Sequence, residues 1–154
     1  MMGKSKVFDE KDFEASDPRS RQELMKLFPW NGYTVSEHEG QFDIDMRLFK
    51  DGKHIGYIEL GHKLDWRWEG SKAKFPFSTV HIEERKLRYR DKFDEGMKVM
   101  YVLFNKDFTQ HLVIKGKDVW NGYREECKNI HNPDGGEFFL NTEVEKVKFN
   151  YFKK

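Results

Sequence analysis

The stretch FDIDMRLFKDGKHIGYIEL, residues 42–60, decides the fold. Apolar and polar residues alternate over 42–48, which is the period of a strand with one buried face. Asp51 and Gly52 follow, a residue pair that favours a tight reversal of the chain. The stretch therefore predicts an antiparallel hairpin, and the rest of the domain has to be arranged around it.

The acidic residues of this hairpin are candidates for a metal site. If the turn is a type I turn with a bulge at Gly52, Asp43 lies opposite Glu59 and Asp45 lies opposite Tyr57. A tight two-residue turn shifts this register by one. In the bulged register Asp43, Asp45 and Glu59 share one face, and such oxygen clusters suit Mg²⁺ or Mn²⁺. The alternative is a solvated polar face on a half-covered sheet.

Other segments predict the remaining layers of the fold. The apolar run 97–104 lacks alternation, as is typical of a central strand covered on both faces. We expect an α/β fold with a mixed central β-sheet of about four to six strands flanked by helices, and one domain over residues 1–154 with a loosely ordered arm over 1–16. The further predicted elements are helices beginning at Asp17 and Glu83, a strand over 110–114, a helix or helical turn over 119–128 and a turn over 132–136.

Composition limits the class of protein. With Lys+Arg 28 against Asp+Glu 27 the net charge is +1, so nucleic acid would have to be bound by a local basic patch. The aromatic content of 16% argues against disorder, and no apolar run approaches the length of a membrane span. A single cysteine excludes an internal disulfide framework and favours a cytoplasmic location. The glycines show neither a P-loop nor a dinucleotide-binding spacing.

The order of elements over about residues 17–114 resembles the PD-(D/E)XK nuclease-like superfamily. An Asp and then a Glu lie on a meander of strands, followed by a basic helix and a buried strand; Asp45 precedes Glu59 by 14 positions and Asp43 precedes it by 16. The resemblance implies a restriction-endonuclease-like fold. It also implies that the Asp and the Glu hold a metal ion that activates water against a phosphodiester of DNA, assisted by a lysine two places after the Glu.

Gly61 occupies the position where the resemblance expects this lysine. Lys63, further along the strand, and Lys86, in the second predicted helix, are the two candidate replacements. We prefer Lys86, because FPFSTVHIEERK, residues 75–86, looks like a segment of small phage-type members whose lysine has moved into that helix. The predicted activity is a Mg²⁺- or Mn²⁺-dependent deoxyribonuclease with Lys86 or Lys63 assisting.

Aromatic and basic residues provide a candidate surface for DNA: Trp66 and Trp68 in a connecting segment, and Arg85 and Arg88 on the second helix. They are equally compatible with loop anchors in the core and a solvated helix face. Because Gly61 replaces the expected lysine, the competing function is an inactive nuclease-like fold that binds nucleic acid or protein as an accessory protein, such as one encoded by a phage. The sequence leaves open the form of the DNA substrate, the biological pathway, and whether the protein forms a homodimer or binds another protein.

Overall fold

A computed structural model describes residues 10–37, 44–62, 75, 77–129 and 132–152. Its helices are short apart from the first, and none of the described helices is long and apolar enough to cross a membrane. The helices are α1 (Glu10–Lys26), α2 (Arg90–Asp94), α3 (Gly116–Trp120) and two 3₁₀ segments (Glu84–Tyr89 and Val144–Lys146). The strands are β1 (Tyr33–Glu37), β2 (Met46–Lys50), β3 (Lys53–His62), β4 (Thr79–Glu83), β5 (Lys98–Phe104), β6 (His111–Lys115), β7 (Tyr123–Asn129), β8 (Asn132–Glu143) and β9 (Lys148–Phe149).

The described strands form two sheets. The main sheet has six strands in the order β1-β2-β3-β5-β6-β9, and the second has three in the order β4-β8-β7. Strands β3 and β5 pair in parallel, whereas the other pairs of the main sheet are antiparallel. The predicted α/β fold with a mixed central sheet is thus confirmed.

Strand β5 lies inside the main sheet and is covered on both faces, as its apolar run predicts. Val102 and Phe104 belong to the core cluster that contains Leu24 of α1. Tyr101 and Leu103 belong to the cluster on the opposite face. The strand is therefore shielded from water on both sides, which suits its continuous apolar sequence.

Most of the second face is covered by the second sheet, together with short helices. Val80 and Ile82 of β4 and Leu140 of β8 pack in one cluster with Tyr101. The second sheet on this face adds to the flanking helices that the sequence predicts. A helical segment does follow β4, but it begins as the 3₁₀ helix at Glu84, one residue later than predicted.

The hairpin turn between β2 and β3 is the tight form. Asp51 and Gly52 have φ angles of 49° and 84°, and Lys50 pairs with Lys53 across them. Positive φ at both central residues is the signature of a type I′ turn, which follows the right-handed twist of the strands. Of the two turns that the sequence allows, the tight two-residue turn is therefore the one that forms, and the bulge at Gly52 does not.

A register shift lies within the hairpin strands instead. It falls between Leu48 and Phe49, and beyond it Met46 pairs with Ile58. Continuing this register by one position brings Asp45, at the bend before β2, level with Glu59. The predicted pairing of Asp45 with Tyr57 is wrong because the additional residue lies in the strand rather than in the turn.

The first helix begins earlier than predicted. It starts at Glu10 rather than Asp17 and contains Pro18. Residues 10–16 include the good helix formers Glu, Lys and Ala, so the helix extends across Pro18 at the cost of a backbone hydrogen bond. These residues were expected in a loosely ordered arm; the rest of that arm, 1–9, lies outside the described residues.

Two predictions in the last third of the chain are also wrong. Most of the segment 119–128 forms β7 rather than a helix, although Val119 and Trp120 end the short helix α3. The predicted turn at 132–136 begins β8. Strands β7 and β8 pair with each other, from Tyr123 opposite Asn141 to Asn129 opposite Asn132. This pairing overrides the local turn and helix signals, because strand stability depends on the partner strand more than on intrinsic propensity.

Candidate active site

Asp45, Glu59 and Lys86 meet near the carboxyl end of β3. The backbone N–H of Asp45 donates to Glu59 Oε1 at 3.3 Å, and the backbone N–H of Leu60 donates to Asp45 Oδ2 at 2.9 Å. Lys86 Nζ lies 3.2 Å from Glu59 Oε2 and donates to the carbonyl oxygen of Leu60 at 3.2 Å. Two carboxylates, one amine and one backbone carbonyl therefore form a single connected group.

The alternation of β3 places Glu59 on the correct face for this contact. Ile58 and Leu60 pack in the cluster on the α1 side, as the sequence predicts. Glu59 points to the opposite face, where the 3₁₀ helix brings Lys86. The strand thus supplies the acid, and the segment after β4 supplies the amine.

Lys86 is held in position through its backbone. The hydroxyl of Tyr101 donates to the carbonyl oxygen of Lys86 at 2.8 Å, and Trp120 Nε1 donates to the Tyr101 oxygen at 3.1 Å. Tyr101 is fully buried in β5. These hydrogen bonds connect the 3₁₀ helix to the centre of the main sheet. They fix the position of the Lys86 backbone, from which the side chain extends.

The ionisable groups of the site are buried. Only 6% of Glu59 and 8% of Lys86 is exposed. Burial raises the pKa of Glu59 to about 8, an effect that Lys86 opposes and the negative charge of Asp45 strengthens. Without a bound cation, the protonated form of Glu59 therefore persists to a higher pH than that of an exposed glutamate.

Lys86 keeps its proton over the same range of pH. Burial favours its neutral form, but the negative charges of Glu59 and Glu83 outweigh burial and raise the pKa of Lys86 above its usual value. Glu83 Oε2 lies 4.0 Å from Lys86 Nζ. The amine is thus a positive charge wherever Glu59 is ionised.

Two further neighbours of the site were not predicted. Arg21 of α1 donates from Nη2 to Asp45 Oδ1 at 3.2 Å, and Glu83 flanks Lys86. Glu83 could have been found, since residues three apart are neighbours along a helical turn. Arg21 could not, because only the packing of α1 on the sheet brings it to Asp45.

The oxygen atoms of this group are of the chemical type that binds a hard divalent cation. Carboxylates of Asp45 and Glu59 and the carbonyl of Leu60 are the ligands that Mg²⁺ and Mn²⁺ accept, with water or phosphate oxygens completing the shell. Among the residues that the structure describes, no three His, Cys, Asp or Glu side chains form a group that could hold a metal ion. Asp43, the predicted third carboxylate, lies outside the described residues.

The structure describes only some of the other predicted site residues. Lys63, Trp66 and Trp68 also lie outside the described residues. Arg85 lies in the 3₁₀ helix, and its side chain is not among those described. Arg88 is exposed on the same helix and donates from Nη2 to the Tyr89 hydroxyl at 2.7 Å. The structure thus brings together Asp45, Glu59 and Lys86, whereas Arg88 contacts Tyr89.

Gly61 is explained by packing. A Cβ atom there would overlap Leu103 Cδ2, far inside van der Waals contact. Leu103 pairs with Gly61 across β3 and β5 and is itself buried in the core. A lysine at this position would have to displace a core side chain, whereas Lys86 reaches Glu59 without doing so.

No protein-family model matches this sequence, and no curated protein matches it. Among solved structures, the chain is similar to a nuclease from a fusselovirus, with 14% sequence identity and a TM-score of 0.40. The similarity covers 85% of this chain and 77% of the viral chain. A likeness this distant carries no argument about activity, so the function is inferred from the side chains.

Proposed function

We propose that this protein is a metal-dependent nuclease that hydrolyses phosphodiester bonds of DNA, with the PD-(D/E)XK type of site. The observation that carries the proposal is the buried contact of 3.2 Å between Lys86 Nζ and Glu59 Oε2, beside Asp45. Buried charges are costly to fold around, and clusters of them with shifted pKa values are concentrated at functional sites. Two acids and an amine at one strand end match the chemistry of phosphodiester hydrolysis.

In this proposal Asp45, Glu59 and the Leu60 carbonyl hold Mg²⁺ or Mn²⁺, and Asp43 is a further candidate ligand. A bound cation of this kind supplies a Lewis acid and lowers the pKa of water. The Lys86 ammonium stabilises negative charge that develops on the phosphoryl oxygens, in a place where burial strengthens electrostatic interactions. Arg21 keeps the Asp45 carboxylate oriented.

The pKa of Glu59 sets the pH range of the proposed activity. Glu59 has to lose its proton before its carboxylate holds a cation, and its pKa is about 8 in the free protein. Cleavage at limiting metal concentration should therefore rise from mildly acidic towards alkaline pH. A saturating metal concentration moves this rise to lower pH, because cation and proton compete for the same oxygen atoms.

The test is cleavage of duplex, single-stranded and branched DNA with either metal, comparing Lys86→Ala with Lys53→Ala. Lys53 is an exposed lysine at the hairpin turn and serves as the matched control. We expect Lys86→Ala to lower the cleavage rate by about 10²-fold or more, as removal of a positioned charge commonly does, and Lys53→Ala to cleave as the wild type does. Thermal unfolding of both variants shows whether they remain folded.

Absence of cleavage on every form of DNA with both metals would contradict the proposal. Gly61 would then mark a lost activity, and the competing function, a binding accessory protein, would take its place. Equal cleavage by Lys86→Ala and wild type would contradict the role of Lys86, and would make Lys63 the next residue to replace.

A further inference from the structure

A groove of about 380 Å³ lies at the amino end of β5, away from Glu59. Its lining includes Lys98, Val99 and Met100 of β5. Glu59 pairs with Tyr101, three positions further along β5 than Lys98. None of Asp45, Glu59 and Lys86 lines the groove.

The charge of the groove is of one sign. Among the described residues that line it, five are lysines and none is acidic. The whole chain has nearly as many acidic as basic residues, so this is a local concentration of positive charge. All five are exposed: Lys98, Lys115, Lys117, Lys146 and Lys148.

The walls of the groove are aromatic. Tyr151 is 40% exposed and Phe93 37% exposed, so both rings offer free surface. Trp30 lies beside Tyr151, with ring centroids 4.8 Å apart. Lys148 Nζ lies 5.4 Å from the Tyr151 ring. Flat apolar surface and positive charge thus occur next to each other.

We infer that this groove binds a nucleotide unit, with the base against the aromatic wall and the phosphate on the lysines. Every nucleobase has a flat face that stacks on an aromatic ring, and this stacking tolerates any sequence. A groove of this size is in the range of small-molecule sites. An inorganic anion would leave the aromatic wall unused, and an uncharged ring would leave the lysines unused.

The unit comes from either of two sources, a free mononucleotide or a single-stranded segment of nucleic acid. The chemistry of recognition is the same in both cases. A strand should bind more tightly, because neighbouring phosphates reach further lysines of the rim. This inference stands apart from the proposed nuclease activity, since it uses none of the residues of the candidate active site.

The experiment is calorimetric titration of the full-length protein in EDTA, so that no metal-dependent cleavage takes place. The probes are deoxyadenosine monophosphate, a short single-stranded oligonucleotide, deoxyadenosine and inorganic phosphate. We expect the first two to bind, with affinity that falls as salt rises, and the last two to bind at least about fivefold more weakly. Tighter binding of the oligonucleotide identifies a strand as the source, and equal binding identifies the mononucleotide.

Matched variants locate the binding. Tyr151→Ala and Lys148→Ala should each lower the affinity about fivefold or more, since stacking on one ring and contact with one phosphate contribute that much. Lys53→Ala and Tyr123→Ala are the controls, because Lys53 is exposed at the hairpin turn and Tyr123 is 56% exposed on β7.

Three results would overturn the inference. Inorganic phosphate that binds as well as the nucleotide shows a charged surface with no role for the rings. Binding that Tyr151→Ala and Lys148→Ala both leave unchanged places the nucleotide elsewhere. Absence of binding by every probe, in protein whose unfolding transition is intact, excludes a nucleotide site. None of these results bears on whether Lys86 is needed for cleavage.

Discussion

The lysines at the two ends of the β3–β5 pair differ in their burial. Lys86, near the carboxyl end of β3, is buried and paired with Glu59, whereas the lysines of the groove at the amino end of β5 are exposed. A buried charge needs a partner and alters the protonation of its neighbours, while an exposed lysine keeps its ammonium group in water at little cost. Burial, rather than residue type, therefore distinguishes the candidate catalytic site from the candidate binding site.

The largest expected effect is on DNA cleavage, and it distinguishes the candidate active site from the groove at the amino end of β5. Asp45→Asn should lower DNA cleavage by about 10²-fold or more, because the change removes the negative charge of a proposed metal ligand. Tyr151→Ala should change cleavage of saturating duplex DNA less than threefold or so, because it leaves the carboxylates in place. Single-turnover cleavage assays measure both rates. Similar losses in the two variants would mean that the two ends work as one site.

The second prediction concerns binding of metal at the buried end. Affinity for Mn²⁺ should rise by about tenfold per pH unit below the pKa of Glu59, about 8, and level off above it, because each cation displaces one proton. Calorimetry at several pH values gives the slope. Glu59→Gln should bind weakly at every pH. A wild-type affinity that does not depend on pH would contradict the protonated state of Glu59.

The third prediction is a change of stability with pH. Glu59 has a pKa of about 8 in the folded protein against an ordinary value of 4.5, so its contribution to stability is complete below pH 4.5 and is lost as pH rises through 8. In metal-free buffer the wild type should lose, relative to Glu59→Gln, on the order of a few kcal/mol of unfolding free energy between these limits. Urea unfolding at both ends of the range measures the difference. Parallel pH profiles of the two proteins would show that Glu59 is ionised throughout.

The fourth prediction tests why Gly61 is not a lysine. Gly61→Lys should lower the free energy of unfolding by about 1–3 kcal/mol, because the new side chain displaces Leu103 in the core. Adding Leu103→Ala should make room and remove part of the specific penalty, which a double-mutant cycle measures. In a Lys86→Ala background, Gly61→Lys alone should leave cleavage low. Recovered cleavage would show that the amine reaches the site from β3 after all.

The smallest expected effect concerns the hydrogen bonds behind Lys86. Tyr101→Phe removes the donor to the Lys86 carbonyl and should lower the free energy of unfolding by about 1–2 kcal/mol. Cleavage should fall only a few-fold, with no change in its dependence on pH, since the amine and Glu59 remain. Thermal unfolding and pH-rate profiles check both parts. A loss of cleavage equal to that of Lys86→Ala would show that Tyr101 has more than a positioning role.

Local sequence patterns were sufficient for the hairpin, for the two faces of β3 and for the buried strand β5. In each case the burial of a side chain follows from its own position in a strand, so the alternation or its absence is visible in the sequence. The contact between Lys86 and Glu59 could not be predicted from such a pattern. It was predicted from the resemblance to the PD-(D/E)XK superfamily, and sequence spacing alone made Lys63 an equally good candidate.

The rest depends on contacts between distant segments. The register shift between Leu48 and Phe49 brings Asp45 level with Glu59. It could not be recognised in the sequence, because no particular residue type signals this bulge. The second sheet was missed because β7 and β8 stabilise one another and neither resembles a strand by itself. Arg21 reaches Asp45 only through the packing of α1. Register and tertiary packing thus decide the site more than local propensity does.

The parallel pairing of β3 with β5 has a consequence for the order in which the molecule folds. Strands β1, β2 and β3 are antiparallel neighbours whose contacts close short loops, whereas β3 ends at His62 and its parallel partner β5 begins only at Lys98. Long loops close slowly, because their ordering entropy is lost before any contact is gained. The meander should form first, with Glu59 still in water and ionised like a free carboxyl group. Glu59 becomes buried beside Lys86 only at the late docking step, so folding of metal-free protein should slow above pH 8 while its earliest phase stays unchanged.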